Sequence, residues 1–425
     1  MNSAARSIDD LPELSEIAPD YATKGFPEEF AELYAVPGLH LIRAGRERTI
    51  AFRSEDLRNI AANPSAGNTP IDNLMRRSFI EKDSPQTQLP ADDRPFLRRF
   101  LVDMIFAANP PRHRAVRHIL ASRILPKQLE SIALLADQIV QELIDDRAGT
   151  GEFDFFPQFA SQLTGRVWQE VCGMTREERD RMLSSVHAMT PLFFATRNTA
   201  ETAPLELALA EYLDVFSVAV GRSVASEGSA LLLSMKQEFD ALNIDYKPMS
   251  FGIWVAANVI DGIHTAALAC TNVVYCLLRD PEAAREVRAD ASKLSRALSE
   301  GLRMLNPLIV SNRFALEEFE YRGTRIPAGT SIAMFWAAGN RDPDVFVNPN
   351  VYDLSRNNRV STTFGGGIHI CPGRYFSGMA AAAVLKGLIN PSIEIDLLRR
   401  PRWLSRSVMR QPEQMMVAIK RVPVR

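Results

Sequence analysis

From Met249 to Leu278 the chain is apolar on nearly every side. A helix with no polar face has no place on the surface of a globular protein, so this segment is expected to be the central, buried helix on which the others pack. Asn258, Asp261, His264 and Asn272 interrupt it. They keep it short of the uninterrupted run of about 20 apolar residues that a membrane span requires, and no membrane association is expected.

The flanking sequence supplies the partners such a helix needs. Helices are expected over Arg112–Ile124, from Pro126 through Leu143, over Pro157–Cys172, Arg176–Ala195 and Leu205–Val224, and again over Asp290–Leu305. Strand-like pieces are fewer: residues 39–42 paired with 48–52, Leu308–Phe314, a hairpin around Tyr321–Thr330, and a tail over Ser405–Ile419. A short helix over Pro27–Val36 and a helix after Ser54, capped by that serine, complete the N-terminal part. Residues 63–95 show no period and are expected to form a long, functional loop. The fold class is mainly α with a minor β part. No linker divides the 425 residues, so a polar segment over 1–24 and a single domain over 25–425 are expected. The formal charge of −2 argues against nucleic-acid binding. Four cysteines, Cys172, Cys270, Cys276 and Cys371, make no disulfide framework in so long a chain. A cytoplasmic location fits this usage and the absence of a signal-peptide pattern at the start.

The densest chemistry lies in Phe364-Gly-Gly-Gly-Ile-His369-Ile-Cys371-Pro-Gly373. Glycines permit backbone conformations closed to other residues and close approach to a flat ligand. Pro372 suits a helix's first turn, so Cys371 is expected at a helix N-terminus, where the dipole and free amides favour a thiolate. Such a thiolate is a ligand or a nucleophile. Zinc is disfavoured, because no second ligand pair at metal spacing lies near His369 and Cys371.

Four stretches together resemble the cytochrome P450 superfamily. Phe364-Gly365-x-Gly367-x-His369-x-Cys371-x-Gly373 matches the haem-binding signature at full spacing. Glu300-Gly-Leu-Arg303 matches the ExxR pair, His113-x-x-x-Arg117 resembles the propionate-binding helix, and the long apolar helix falls in the oxygen-activating position. The resemblance spans roughly 25–420. It implies a soluble, bacterial-type haem-thiolate monooxygenase, with haem b between the distal helix and the proximal Cys-loop helix and O2 as co-substrate. By position, Cys371 is the axial iron ligand; Phe364, Gly365 and Gly373 shape its loop; and His113, Arg117, Arg313 and His369 meet the propionates. Glu300 and Arg303 are structural, with Val351 where an arginine often joins them and Arg356 as a substitute.

The distal helix departs from the family pattern. Asp261-Gly262-Ile263-His264-Thr265 stands where A-G-x-(D/E)-T is usual. Spacing allows Asp261, His264 and Thr265 to share a face; the expected relay is His264 with Thr265, and Asp261 orients it or faces substrate. The resemblance places the substrate pocket near residues 73–106 and 186–194, with Ile105, Phe106, Phe193, Phe194, Leu308, Ile309 and Met409 as contacts. It implies a hydrophobic small molecule, a terpenoid, steroid or aromatic. Electrons are expected from a separate ferredoxin and its NAD(P)H-dependent reductase, docking on a basic face of Arg98, Arg99, Arg112, Arg114, His118, Arg123 and Arg374. The altered helix also motivates a thiolate-haem isomerase, dehydratase or peroxygenase as a second reading, against which the retained Thr265 argues; a haem-binding sensor is a third, separate reading.

Overall fold

A computed structural model describes residues 5–18, 31–45, 48–77, 94–194, 199–242, 250–405 and 407–423. Its axis is the helix Phe251–Leu278, opened by Ser250, whose Oγ accepts the Ile253 amide at 3.3 Å. Length and apolarity alone would let this helix cross a membrane, but 78% of its most apolar window is buried inside the molecule. The helices Arg374–Leu388, Thr202–Ala225, Leu294–Met304, Ser161–Cys172 and Pro95–Asp103 pack directly on it. Small side chains let them come close. A Cβ on Gly252 would lie 2.8 Å from the Ser217 Cα, so any larger residue would push Thr202–Ala225 outward.

The β part carries site residues on a five-stranded sheet. Leu41–Arg43 pairs antiparallel with Arg48–Ala51, which runs parallel to Ser331–Met334; Ser311–Ala315 and Ala66–Gly67 complete the order antiparallel. Two three-stranded sheets flank this one: Ile393–Leu397, Met416–Arg421 and Glu152–Asp154, and the set of Arg6–Ser7, Thr324–Ile326 and Phe319–Tyr321.

Several expectations shift. Ser54 is the first helical residue of Ser54–Ala62 rather than its cap, and the Asp342 carboxylate accepts its amide at 2.8 Å. The aperiodic stretch contains the strand Ala66–Gly67 and the helix Ile71–Arg77, while residues 78–93 of the expected pocket loop lie outside the described residues. Ala230–Asp240 and Pro281–Ala289 are helices that periodicity did not single out. The C-terminal tail forms a strand only over Met416–Arg421. Before it, the chain makes isolated bridges, Phe194 with Ser407 and Leu308 with Met409, which knit distant segments together.

Candidate active site

The cysteine loop is pinned at both ends. Cys371 N–H donates to the Phe364 carbonyl at 2.9 Å and Gly365 N–H to the Thr362 carbonyl at 2.9 Å, around a single helical turn over Gly367–His369. Gly367 has φ +64°, and a Cβ there would fall 1.9 Å from the Ala61 carbonyl oxygen. This glycine therefore answers to the helix Ser54–Ala62 rather than to a ligand. The long helix begins at Arg374 with Gly373 as its cap, so Cys371 precedes it. Burial, then the Asp261 charge, push the Cys371 thiol up to about 11, while the Gly373 amide, Arg117 and Arg374 pull the other way. The helix terminus alone thus does not make a thiolate; a bound cation would, because coordination deprotonates a thiol outright.

Beside this loop four nitrogen-bearing side chains converge from three elements. His113 and Arg117 come from Arg112–Ala121, Arg313 from the strand Ser311–Ala315, and His369 from the loop itself. The His113 and His369 rings are 4.1 Å apart. Burial, then neighbouring positive charge, lower His113 to about 4 and His369 to about 3. Both ring nitrogens of His113, Nε2 of His369 and Nε of Arg313 are buried without hydrogen-bond partners. No carboxylate pairs with any of the four among the described residues. Buried donors are normally satisfied, and two arginines beside two imidazoles that can donate fit an anion with several oxygens, such as the two propionates of haem. Asn68 organises the cluster: its Oδ1 accepts from Arg313 at 3.1 Å, its Nδ2 lies 3.3 Å from His369 Nδ1, and its amide donates to Asn109 Oδ1 at 2.7 Å. Nothing in the sequence singled out Asn68, which sits in the aperiodic stretch.

On the central helix the three polar residues part company. Asp261 lies at mid-helix, and its side chain keeps open surface although protein surrounds it. Burial pushes its carboxyl up to about 6, with the Thr265 hydroxyl opposing the shift. Thr265 Oγ1 is closed off without a hydrogen bond of normal geometry. His264 is packed away from them. Its ring stacks on Phe193 at 4.7 Å, meets the Phe156 edge at 5.6 Å, and its Nε2 donates to Gln411 Oε1 at 3.1 Å. Burial, then His187, lower it to about 3, so it is neutral. The expected single face of Asp261, His264 and Thr265 is therefore split: a turn of helix offers separate surroundings to positions three and four apart. Trp168 Nε1 donates to the Gly262 carbonyl at 3.1 Å and Thr164 Oγ1 to the Ile263 carbonyl at 3.0 Å, fixing this turn from outside. A Cβ on Gly262 would meet Trp168 at 3.0 Å, which gives that glycine a packing reason.

Most of the expected pocket residues are brought near one another. Val408 N–H donates to the Phe193 carbonyl and Ile309 N–H to the Val408 carbonyl, each at 2.8 Å, so Phe193, Phe194, Leu308 and Met409 share one seam with His264. Ile105 is tied to the central helix by its amide, which Asn258 Oδ1 accepts at 2.7 Å, while Asn258 Nδ2 donates to the Asp103 carbonyl at 2.8 Å. Phe106 beside it is exposed. Ile309 packs against the small core of Leu39, Ile42 and Phe52, whereas Leu308 packs against the large core.

Glu300 and Arg303 are fully buried, with two hydrogen bonds of 2.8 and 2.7 Å between them. Arg356 supplies the third member, donating to Glu300 Oε1 at 3.1 Å, and Arg303 reaches the Asn340 and Pro349 carbonyls. The expected basic face is thinner than its sequence. Arg98 pairs with Asp72, and Arg123 with Glu238, which also lies 3.8 Å from His118. Arg98 and Arg99 stand on a helix packed against Phe251–Leu278 and Thr202–Ala225. Arg114 keeps no ion-pair partner among the described residues, while Arg374 donates to the Cys371 carbonyl.

A mainly helical fold, a cysteine loop, and beside it a set of histidines and arginines with several unpaired nitrogens fit a haem held through sulfur and its propionates. Comparison with known proteins agrees. The cytochrome P450 family model matches residues 230–390. The chain is 26% identical over 306 residues to 6-deoxyerythronolide B hydroxylase of Saccharopolyspora erythraea, covering 71% of this chain and 74% of that protein. It is 23% identical over 327 residues to the polyketide biosynthesis cytochrome P450 PksS of Bacillus subtilis, covering 76% and 79%. Among solved structures, P450BioI in complex with an acyl carrier protein ligated to hexadec-9Z-enoic acid superposes with a TM-score of 0.77 at 21% identity, covering 92% of this chain and 97% of that one. Residues 230–390 thus match the cytochrome P450 family, the chain is similar over most of its length to bacterial cytochromes P450, and its fold is theirs.

Proposed function

We propose that this chain, as one haem domain over 25–425, oxidises a bulky apolar small molecule, with Cys371 as the sulfur ligand of haem b. The observation that carries this reading is the buried set of His113, Arg313 and His369, in which both His113 ring nitrogens, His369 Nε2 and Arg313 Nε lack partners and which no described carboxylate neutralises. Together with Arg117, these residues would hold the two propionates, and the loop from Phe364 through Gly373 would present the sulfur. When bound, the haem supplies dioxygen activation and the insertion of one oxygen atom into the substrate.

The chain's own residues then have separable tasks. The Asp261 carboxyl and the Thr265 hydroxyl, which interact on one turn of the central helix, would hold and pass a proton. His264 anchors Phe193 and Gln411, positioning the pocket seam rather than moving protons. Phe193, Phe194, Leu308 and Met409 exclude water from the apolar part of the cavity. The relatives' names add polyketide skeletons to the terpenoid, steroid and aromatic candidates. Electrons come from a separate ferredoxin and NAD(P)H-dependent reductase in the cytoplasm, with Arg114 and Arg374 as cations left for docking. The test is the carbon-monoxide difference spectrum of the reduced holoprotein. The thiolate-ligated band is expected in the wild type and lost in Cys371→Ser; an unchanged spectrum in that variant would remove Cys371 from the iron.

A further inference from the structure

Residues 5–18, mostly polar in sequence, are built into the fold, and their packing leads to the cysteine loop. Arg6–Ser7 runs parallel to Thr324–Ile326, with the Arg6 amide donating to the Gly323 carbonyl at 2.8 Å. A capping box between Ser7 and Asp10 then folds a single turn over Ile8–Asp10. The turn leaves Asp9 and Asp10 exposed and buries Ile8 and Leu11. Arg43 holds the far end. Its amide donates to the Pro12 carbonyl at 2.9 Å, its Nε donates to the Leu11 carbonyl at 3.1 Å, and its guanidinium lies 3.3 Å from the Glu13 carboxylate.

Ile8 and Leu11 belong to one apolar cluster with Leu57, Ile60 and Ala61 of the helix Ser54–Ala62 and with Trp336. The cysteine loop packs on Ala61 and Trp336. A Cβ on Gly366 would lie 3.5 Å from the Ala61 Cβ, one on Gly365 would lie 3.8 Å from the Trp336 ring, and Gly367 abuts the Ala61 carbonyl. The Thr362 hydroxyl donates to the Trp336 carbonyl at 2.7 Å, and the Thr362 carbonyl accepts the Gly365 amide at 2.9 Å. Three consecutive glycines bring no side chains to anchor this loop, and glycine has more backbone freedom to lose than any other residue. The loop's position is therefore set by the surface it packs on. We infer that Ile8 and Leu11 are positioning residues for Cys371: by completing the cluster that holds Ala61 and Trp336, they keep the glycine loop where its sulfur can ligate iron. This inference rests on the reading of Cys371 as the haem ligand.

The test compares two double variants of the haem-loaded full chain. Ile8→Ala with Leu11→Ala truncates the N-terminal contacts, whereas Leu205→Ala with Leu209→Ala truncates two buried side chains of the large core. Each protein is titrated with urea, and the thiolate band of the carbon-monoxide complex is followed beside far-ultraviolet circular dichroism. In the Leu205/Leu209 variant both urea midpoints should shift down together, as general destabilisation requires. In the Ile8/Leu11 variant the midpoint of the band should fall about twice as far as that of the helical signal, as local opening of one loop predicts. Ile8→Val with Leu11→Met should return both midpoints toward the wild type, because apolar volume is largely kept. Equal shifts of band and helical signal in the Ile8/Leu11 variant overturn the inference, as does the same excess shift of the band in the Leu205/Leu209 variant. Should the Ile8/Leu11 variant fail to load haem, Leu11→Ala alone enters the same comparison. A wild type without the thiolate band defeats the haem-thiolate reading beneath; a wild-type band with equal shifts in the Ile8/Leu11 variant defeats this inference alone.

Discussion

A histidine ring stacked on phenylalanine and bonded only to an amide oxygen has no use for a second proton. His264 is fully buried, burial and His187 hold it down at about 3, and its Nδ1 has no partner. In the unfolded chain the same residue titrates near 6.5. Its folded pKa is therefore depressed: the unfolded state binds more protons between about pH 3 and 6.5, and stability falls as pH drops through that window. The contribution is complete above pH ~6.5, and acidification from 7 to 5 should remove roughly 2 kcal/mol. Urea unfolding of the wild type and of His264→Phe at both pH values checks this. The variant should lose less stability on acidification by about that amount, even if it starts lower. A second observable distinguishes positioning from proton transfer: product formed per NAD(P)H should follow changes in substrate-induced spin shift, with no separate solvent isotope effect. The spacing of Asp261, His264 and Thr265 was readable in the sequence. Which of them is packed into the core was not, because that depends on where Phe193 and Gln411 arrive from residues far along the chain.

At the level of elements, the cysteine loop and its helix form one device for presenting sulfur. Pro372 removes an amide that would otherwise point near Sγ, leaving the Gly373 amide as the backbone donor. Fewer donors leave a more electron-rich sulfur and a lower iron potential. Restoring one with Pro372→Leu should raise the midpoint potential by about 40 mV, from ~1 kcal/mol for a hydrogen bond and ~59 mV per tenfold for one electron. Spectroelectrochemistry of the holoprotein measures it, and no change or a fall would count against the role given to Pro372. Local sequence announced this element well, since three glycines, a proline and an alanine-rich run each carry their own backbone preference. The reason for Gly367 was hidden, because its constraint is the Ala61 carbonyl on another helix. The tail before Met416 misled in the same way: its β-like residues make single bridges to Phe194 and Leu308 rather than a ladder. Propensity describes a side chain that fits a half-buried surface, not the presence of a partner strand.

Across the whole molecule, the Glu300, Arg303 and Arg356 network joins the helix Leu294–Met304 to the irregular chain before the cysteine loop. Burial alone would raise the Glu300 carboxyl, but the hydrogen bonds and charge of Arg303 outweigh it and hold it below its ordinary value. Glu300→Ala would leave Arg303 buried and uncompensated, a loss of about 3–5 kcal/mol. Chemical unfolding of the apoprotein and haem content per chain should both register this loss, and Glu300→Leu with Arg303→Met should recover part of it, because the pair is then replaced by apolar groups. The sequence by itself determined the central helix, the cysteine loop and the residue types that surround a haem, because apolar patterning and glycine–proline chemistry act within a few residues. Tertiary structure alone decided that Asn68 organises the donor cluster, that His264 turns to Phe193, and that Ile309 packs on the core of Leu39, Ile42 and Phe52. Each depends on contacts between segments tens to hundreds of residues apart, where burial and the lack of a partner, not residue identity, set what a side chain can do.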